Sequence, residues 1–300
     1  MATIEFSNEY EPPIGDEPAL LMTVAPASLR SLVVEMRYGR KPLATATGFV
    51  VDHAGMSYLV TNKHNLSGMD PMTGAFMSSR GVVPDEVAIL YNRSLAPARY
   101  NLVVENLYDA AGERLWREHP TNSRVDVVAL PLTELTDVVL HPYSVERPAR
   151  PFRFQPGDSV SVIGFPDATV SNPAYPLPTW SHGYVATEPM LDEDRVMHFM
   201  VDTRTRRGQS GSPVVIYRPR WSVVGMTDAE GNETLGYSHE ATTELIGIYS
   251  GRMSEPPDED GEQAREDYDM VERRIARRLQ TTDLGIVWKH GVIRDVIENR

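Results

Sequence analysis

Three short segments of the sequence carry residue types that could perform nucleophilic catalysis. His64 follows the predicted strand in YLVTNKHNL, Asp126 lies near the start of RVDVVAL, and Ser210 occupies the glycine-flanked loop RGQSGSP. A serine hydroxyl attacks a carbonyl group when a neutral imidazole takes its proton and a carboxylate orients that imidazole. The three residues therefore form a candidate nucleophile, base and orienting acid.

The loop around Ser210 also predicts a site for a developing negative charge. Gly208 precedes Gln209 and Ser210, and a glycine lets the backbone turn sharply where a Cβ would crowd it. The backbone N–H groups of Gly208 and Ser210 could then converge on one oxygen atom. Such paired donors stabilise the oxyanion of a tetrahedral intermediate.

The three segments match motifs that are typical of one peptidase family. The histidine, aspartate and nucleophile motifs of that family correspond here to Thr61–His64, Asp126–Ala129 and Gly208–Pro213. Over roughly residues 40–252 the sequence resembles the chymotrypsin-like serine peptidases, specifically the bacterial trypsin-like peptidases related to HtrA-type and glutamyl endopeptidases. Further matches are Gly48–Val51, Pro156–Asp158, Ile163–Pro166, Gly183–Val185 and Ile246–Ile248.

The resemblance implies a role for each matching residue. Ser210 would be the nucleophile, His64 the general base and then acid, Asp126 the orienting carboxylate, and the Gly208 and Ser210 N–H groups the oxyanion hole. The chain order His, Asp, Ser agrees with this family. Peptide bonds would be hydrolysed through an acyl-enzyme without a cofactor.

Each motif residue has a simpler interpretation when it is taken alone. An isolated histidine is more often an ordinary hydrogen-bonded side chain than a base, and an isolated aspartate at a strand edge is common. Asp202 is a rival acid eight residues before Ser210, and Ser212 lies in the same loop. The motif match favours Asp126 over Asp202, and it gives Ser212 a glycine-or-serine position that is not the nucleophile's.

The resemblance also implies where the substrate binds. Five residues are expected to form the specificity pocket and the adjacent substrate-binding strand: Arg204, Thr205, Tyr249, Ser250 and Gly251. Position 204, six residues before the nucleophile, holds no aspartate, so a preference for Lys or Arg is not expected. If Arg204 or Arg206 points into the pocket, acidic substrate residues are favoured by charge pairing. If both point to solvent, a small or medium apolar residue is favoured.

Control of the activity is a separate expectation. In digestive members of the family a new N-terminus pairs with an aspartate directly before the nucleophile, and Gln209 at that position cannot form a charged pair. Another restraint is therefore expected: narrow specificity, the N-terminal arm, the acidic segment 254–269, or a regulatory protein partner. The alternative function is a catalytically silent or latent peptide-binding scaffold on the same fold, which needs a partner.

Composition excludes several other classes of function. The 300 residues carry a net charge of −13, which disfavours nucleic-acid and anionic membrane surfaces as partners. There are no cysteines, no pattern of metal ligands, no secretory signal and no long apolar segment, so we expect a cytoplasmic protein without a metal or membrane span. A bacterial origin is implied by the resemblance alone.

Short β-branched runs separated by Gly and Pro predict about six short strands on each side of a Pro-rich connector, a spacing typical of β-barrels or sandwiches. The resemblance implies that these strands form an all-β fold of two tandem six-stranded antiparallel barrels, with helices at the C-terminus. WSVVGMTD (221–228) is predicted as a strand of the second barrel, whereas residues 283–289 are expected to dock on it and the last helix to pack there. MVERRIARRL (270–279) is predicted to be an amphipathic helix. The predicted units are an arm (1–27), a first barrel (28–144), a connector (145–156), a second barrel (157–252) and a C-terminal segment (253–300).

Overall fold

The computed structural model describes residues 24–93, 100–146, 153–166, 176–191, 196–219, 223–227, 233–237, 241–251 and 284–299, with only the backbone given for 223–227 and 233–237. These residues form fifteen strands and two short α-helices, α1 (Lys63–Ser67) and α2 (His290–Glu298). The strands are β1 (Ser31–Tyr38), β2 (Lys41–His53), β3 (Met56–Thr61), β4 (Glu86–Asn92), β5 (Tyr100–Asn106), β6 (Val128–Pro131), β7 (Tyr143–Ser144), β8 (Ser159–Gly164), β9 (Thr179–Val185), β10 (His198–Thr203), β11 (Pro213–Arg218), β12 (Val223–Thr227), β13 (Glu233–Tyr237), β14 (Thr242–Gly251) and β15 (Leu284–Lys289).

The N-terminal strands form one seven-stranded sheet. Its order is β5-β4-β1-β2-β3-β6, with β7 pairing in parallel alongside β2. Within the described residues the sheet stays open, so the prediction of two closed barrels is not confirmed. The edge of β6 that would close the sheet is taken by Arg117, which exchanges two backbone hydrogen bonds with Ala129. The segment after β5 therefore folds back onto β6 and occupies the edge at which another strand would have to pair to close the sheet into a barrel.

The C-terminal strands form a closed six-stranded barrel in the order β10-β15-β14-β11-β8-β9. The predicted sixth strand was wrong: β12 lies outside the barrel and pairs with β13 in a two-stranded sheet. Strand β15 takes that place, between β14 and β10. Residues 284–289 thus do more than dock, because they are an integral part of the barrel.

Alternating side chains of β2 and β3 are buried on both faces of the sheet. Val50 and Leu59 point into the core of the N-terminal unit. Their neighbours on the two strands point the other way, into a second core that both units share. That shared core includes Phe49, Val60, Ile163, Val215, Ile248 and Ile293.

Helix α2 closes the shared core from one side. Its buried face is made of Val292, Ile293, Val296 and Ile297, and the helix contacts β6 of the sheet as well as β14 and β15 of the barrel. The C-terminal helix predicted in this region is confirmed. The predicted helix at 270–279 and acidic segment at 254–269, with most of the arm and half of the connector, lie outside the described residues. Neither helix that the structure describes is long and apolar enough to span a membrane.

Candidate active site

Strand pairing brings His64 and Asp126 together. Strand β3 pairs with β6 so that Thr61 lies opposite Val128, and α1 starts immediately beyond the end of β3. The Nδ1 atom of His64 is 2.7 Å from Oδ2 of Asp126, and the His64 backbone N–H donates to Oδ1 at 2.9 Å. Asn62 Nδ2 donates to the Asp126 carbonyl oxygen at 2.7 Å. The histidine is therefore oriented by both its ring and its backbone.

The Asp126 carboxylate is buried and receives a third donor from the barrel. Its side chain is 5% exposed, against 15% for that of His64. The hydroxyl of Ser250, near the end of β14, donates to Oδ2. Because Ser250 belongs to the barrel, the contact also ties the two units together at the acid.

The surroundings of His64 raise its pKa above the ordinary value of 6.5. Burial alone lowers the pKa, because it disfavours the charged imidazolium. The Asp126 carboxylate outweighs this through its charge and hydrogen bond, and the Asp70 carboxylate adds a smaller contribution of the same sign. With Nδ1 directed at Asp126, the Nε2 atom is the one available to take a proton.

Lys63 fixes the segment that precedes Asp126. Its ammonium group lies 2.5 Å from Glu118 Oε2 and donates to the Ser123 carbonyl oxygen at 3.2 Å. Burial tends to raise the pKa of Glu118, but the hydrogen bond and charge of Lys63, with Trp116 and Arg114, lower it overall. The carboxylate therefore stays ionised, and α1 is fastened to the 118–123 segment.

Ser210 lies in a tight turn that ends where β11 begins. The two glycines of the turn have positive φ angles, +88° at Gly208 and +84° at Gly211, which side-chain-bearing residues rarely adopt. Among the described residues, neither the Gly208 N–H nor the Ser210 N–H donates to a protein acceptor. Two unpaired donors beside a serine hydroxyl are what an oxyanion hole requires.

Ser210 and His64 approach the same region from different units. No hydrogen bond joins Ser210 Oγ to the His64 ring among the described residues. Catalytic hydrogen bonds of this type are often long in the absence of substrate. The hydroxyl faces Gly251, where an added Cβ would lie 3.7 Å from Ser210 Oγ.

Thr47, on β2, is a site residue that the sequence did not reveal. Its backbone N–H donates to the Ser210 carbonyl oxygen at 3.0 Å, and its hydroxyl donates to the Gly208 carbonyl oxygen at 2.8 Å. The same hydroxyl accepts from the Phe165 N–H, and the Thr47 carbonyl oxygen accepts from the Thr61 hydroxyl. The only signal in the sequence is a threonine beside the Gly48–Val51 match, at a position where an apolar side chain would be expected in the buried interior.

The predicted pocket residues are divided between core and surface. Tyr249 is 2% exposed, its hydroxyl bonds Thr205, and its backbone N–H and C=O are taken by Ser212 and Gly211. Tyr249 therefore belongs to the core of the barrel, and Thr205 is buried beside it. Their contact with a substrate stays a prediction. Arg204 is exposed, as are Arg206 and Arg207. Ser250 and Gly251 remain beside Asp126 and Ser210, respectively.

The rival residues lie in different surroundings. Asp202 is exposed on β10, where it pairs with Tyr184 of β9. Ser212 is fully buried, and its hydroxyl has no hydrogen-bond partner among the described residues. In that part of the chain, no group of three or more His, Asp or Glu side chains is arranged to hold a metal ion.

A family model described as the trypsin-like peptidase domain matches residues 46–226. The chain therefore belongs to the trypsin-like peptidase family, and the resemblance to chymotrypsin-like serine peptidases is confirmed. A search of curated proteins gave no match.

Solved structures of proteases also resemble the chain. The inactive form of the Rv3671c protease of M. tuberculosis is 16% identical, with a TM-score of 0.44, over 96% of this chain and 98% of that one. The protease Anisep from Arthrobacter nicotinovorans is 13% identical, with a TM-score of 0.45, over 90% and 94%. A serine endoprotease from Yersinia pestis is 14% identical, with a TM-score of 0.44, over 95% and 67%.

Proposed function

We propose that the protein is a serine endopeptidase in which Ser210, His64 and Asp126 act as a catalytic triad. The observation that carries the proposal is the His64–Asp126 pair: a buried carboxylate bonds the ring and backbone of the histidine on one side and Ser250 on the other. The two unpaired N–H groups beside the Ser210 hydroxyl add independent support.

The proposed reaction uses these three side chains, two backbone N–H groups and water. His64 Nε2 takes the Ser210 hydroxyl proton while the oxygen attacks the substrate carbonyl carbon, and the carbonyl π electrons move to its oxygen. The Gly208 and Ser210 N–H groups stabilise that oxyanion. The tetrahedral intermediate collapses, the peptide C–N bond breaks, and the imidazolium donates its proton to the departing amine. Water, deprotonated by His64, then hydrolyses the acyl-enzyme and regenerates Ser210.

An extended polypeptide is the proposed substrate. Strand β14 pairs with β11 only as far as Ile248, while Gly251 pairs with Ile286 on the β15 side. The edge of residues 250–251 that faces Ser210 is therefore proposed to receive the substrate as an added strand. The exposure of Arg204 and Arg206 supports a small or medium apolar residue before the scissile bond over an acidic one.

A loop beside His64 supports apolar contacts with the substrate as well. Gly68 donates to the His64 carbonyl oxygen, and the Gly68 carbonyl oxygen accepts from the Met77 N–H. The loop of residues 68–77, which these two hydrogen bonds connect to His64, carries three large exposed apolar side chains: Met72 (58%), Phe76 (52%) and Met77 (60%). Exposed apolar clusters are typical of binding surfaces, and this one lies within one loop of the proposed base.

A latent peptide-binding scaffold is the second candidate. In the described residues no hydrogen bond joins Ser210 to His64, and a scaffold whose site is incomplete without a partner would have this arrangement. A regulatory partner would then complete the site. Cytoplasmic location and restraint by such a partner are part of the proposal.

Labelling with a fluorophosphonate probe, measured by intact mass, separates the two candidates. The expected result is a single adduct on the wild-type protein and none on Ser210→Ala, because only an activated serine reacts. Ser212→Ala is the matched control and is expected to label as the wild type does. Absence of an adduct on the wild-type protein would contradict an active peptidase and favour the scaffold.

A further inference from the structure

The turn that carries the proposed oxyanion hole is partly exposed to solvent. Arg206 and Arg207 are exposed, Gly208 is partly exposed, and both donor N–H groups lack a protein acceptor within the described residues. Glycine leaves this backbone free to adopt several conformations. Something else must therefore hold the Gly208 and Ser210 N–H groups in one direction.

Gln209 holds the turn from the barrel side. Its side chain is fully buried, its Oε1 accepts from the Arg206 N–H at 2.8 Å, and its Nε2 donates to the Ser181 hydroxyl at 2.8 Å. The Gln209 carbonyl oxygen accepts from the Ser212 N–H at 3.0 Å. A peptide group is planar, so this last bond fixes the direction of the Ser210 N–H, which points the opposite way.

Thr47 holds the same turn from the N-terminal sheet. The Phe165 N–H can only donate, so it uses the Thr47 hydroxyl oxygen as acceptor, and the hydroxyl proton is left for the Gly208 carbonyl oxygen. The Thr47 N–H donates to the Ser210 carbonyl oxygen. The two carbonyl groups that flank Gln209 are thus bound by one buried threonine.

The contacts of Thr47 continue to the helix that carries His64. Its carbonyl oxygen accepts from the Thr61 hydroxyl at 2.8 Å, and that hydroxyl accepts from Asn65 Nδ2 at 3.0 Å. Asn65 lies in α1, one residue after His64. An unbroken hydrogen-bonded path therefore joins the base-bearing helix to the Ser210 turn across the boundary between the units.

We propose that Thr47 and Gln209 are positioning residues. Thr47 from the N-terminal sheet and Gln209 from the barrel side together hold the turn that forms the oxyanion hole. The inference rests on the proposed function for its catalytic consequence, but the restraint on the turn is a property of the fold. Neither side chain touches the reacting atoms. Their effect is to aim the Gly208 and Ser210 N–H groups and to set them relative to His64.

Hydrogen exchange tests the restraint without requiring activity. Thr47→Val keeps the shape of the side chain and removes the hydroxyl, whereas Thr47→Ser keeps the hydroxyl. In mass spectrometry of the full chain, the peptide covering residues 205–213 is expected to exchange about five- to tenfold faster in Thr47→Val and nearly as in the wild type in Thr47→Ser. Unchanged exchange in Thr47→Val would overturn the proposal.

Kinetics tests the consequence for catalysis. In Thr47→Val, kcat and the affinity for a peptide aldehyde, which mimics the tetrahedral intermediate, are both expected to fall about 10- to 100-fold, with KM nearly constant. Thr47→Ser is expected to restore most of both values. An equal loss in Thr47→Ser overturns the role of the hydroxyl. A wild-type protein that the fluorophosphonate does not label refutes the peptidase function, while the exchange result still decides the restraint.

Ser181→Ala tests the Gln209 side independently of Thr47. Ser181 is partly exposed on β9, so we expect the truncated variant to fold. The substitution removes the acceptor of Gln209 Nε2. Faster exchange in residues 205–213 with an unchanged melting temperature is the expected outcome. If exchange there equals that of the wild type, Gln209 does not restrain the turn through this contact.

Discussion

At the scale of single residues, the Asp126 side chain contacts both units of the fold at the candidate site. It accepts from the His64 ring, the His64 backbone and Ser250. In the proposed reaction, the ring contact holds the tautomer that leaves Nε2 unprotonated, and the carboxylate charge stabilises the imidazolium. Its loss should therefore affect both the rate and the titration of His64.

Asp126→Asn is expected to lower kcat by about 10⁴-fold, because the amide stabilises neither the required tautomer nor the imidazolium. The pKa of His64 should also fall, since the desolvation that lowers it is then opposed only by Asp70. NMR titration of the His64 ring in Ser210→Ala and in the double variant measures this shift. Asp202→Asn, at the exposed rival acid, is the control and should change neither quantity.

The wild-type pH profile follows from the same contacts. A general base works in its neutral form, and the pKa of His64 is raised above 6.5. The acidic limb of kcat/KM should therefore have its midpoint above pH 6.5, with activity gained as the pH rises through it. A midpoint below 6.5 in initial-rate measurements on a peptide substrate would show that His64 is not the titrating base.

Gly208→Val is expected to reduce kcat by about 10²–10³-fold, because it displaces a proposed oxyanion donor. Part of any effect comes from placing a side chain at a φ of +88°. Gly112→Val is the matched control, since Gly112 has a φ of +81° and open space around its Cα. Steady-state kinetics on the two variants separates the effect of backbone strain at a positive φ from the loss of the proposed oxyanion donor. Equal losses would count against the proposed hole.

At the scale of elements, the barrel shows why local pattern assigned the wrong segment as its sixth strand. WSVVGMTD and LGIVWK are both short, apolar and β-branched, yet only the second lies in the barrel, as β15. Strand pairing is set by partners that are distant in sequence, here β10 and β14. The alternation of side chains predicts that a strand exists, but it does not identify its neighbours.

Gly285 in β15 provides a stability test of this placement. An added Cβ would lie 2.3 Å from Cε2 of the buried Tyr249 ring, so Gly285→Ala is expected to destabilise the fold by about 1–3 kcal/mol. Gly291→Ala is the matched control: the site in α2 is open, and alanine favours a helix by up to about 1 kcal/mol. Urea unfolding of the variants measures both. A neutral Gly285→Ala would contradict the β14–β15 packing.

At the scale of the whole molecule, the two units behave as one body because they share a core and α2. Ile293 is fully buried in that core, so Ile293→Ala is expected to lower the free energy of unfolding by about 2–5 kcal/mol. The exposed Val104 gives the control Val104→Ala, which should cost little. Unfolding followed by tryptophan fluorescence and by circular dichroism should coincide in one transition. Two separate transitions would show that the units are independent.

The same scale sets the limit of prediction for the site. His64, Asp126, Ser210 and Gly208 are recognisable because each lies in a contiguous motif. Thr47 is not, because the residue that its hydroxyl binds is 161 positions away in the chain. The Ser250–Asp126 contact spans 124 positions and was likewise found only in the folded chain. Motifs identify reacting groups, whereas the groups that hold them in place come from tertiary structure.

The position of β15 has a consequence for the order of events during synthesis. His64, Asp126 and Ser210 have all left the ribosome well before residues 284–289 emerge, yet the barrel cannot close until that strand inserts between β10 and β14. A nascent chain therefore carries the three residues of the proposed triad while the framework that aligns them is incomplete. For the proposed peptidase, cleavage of neighbouring nascent chains is expected only after this late strand is in place.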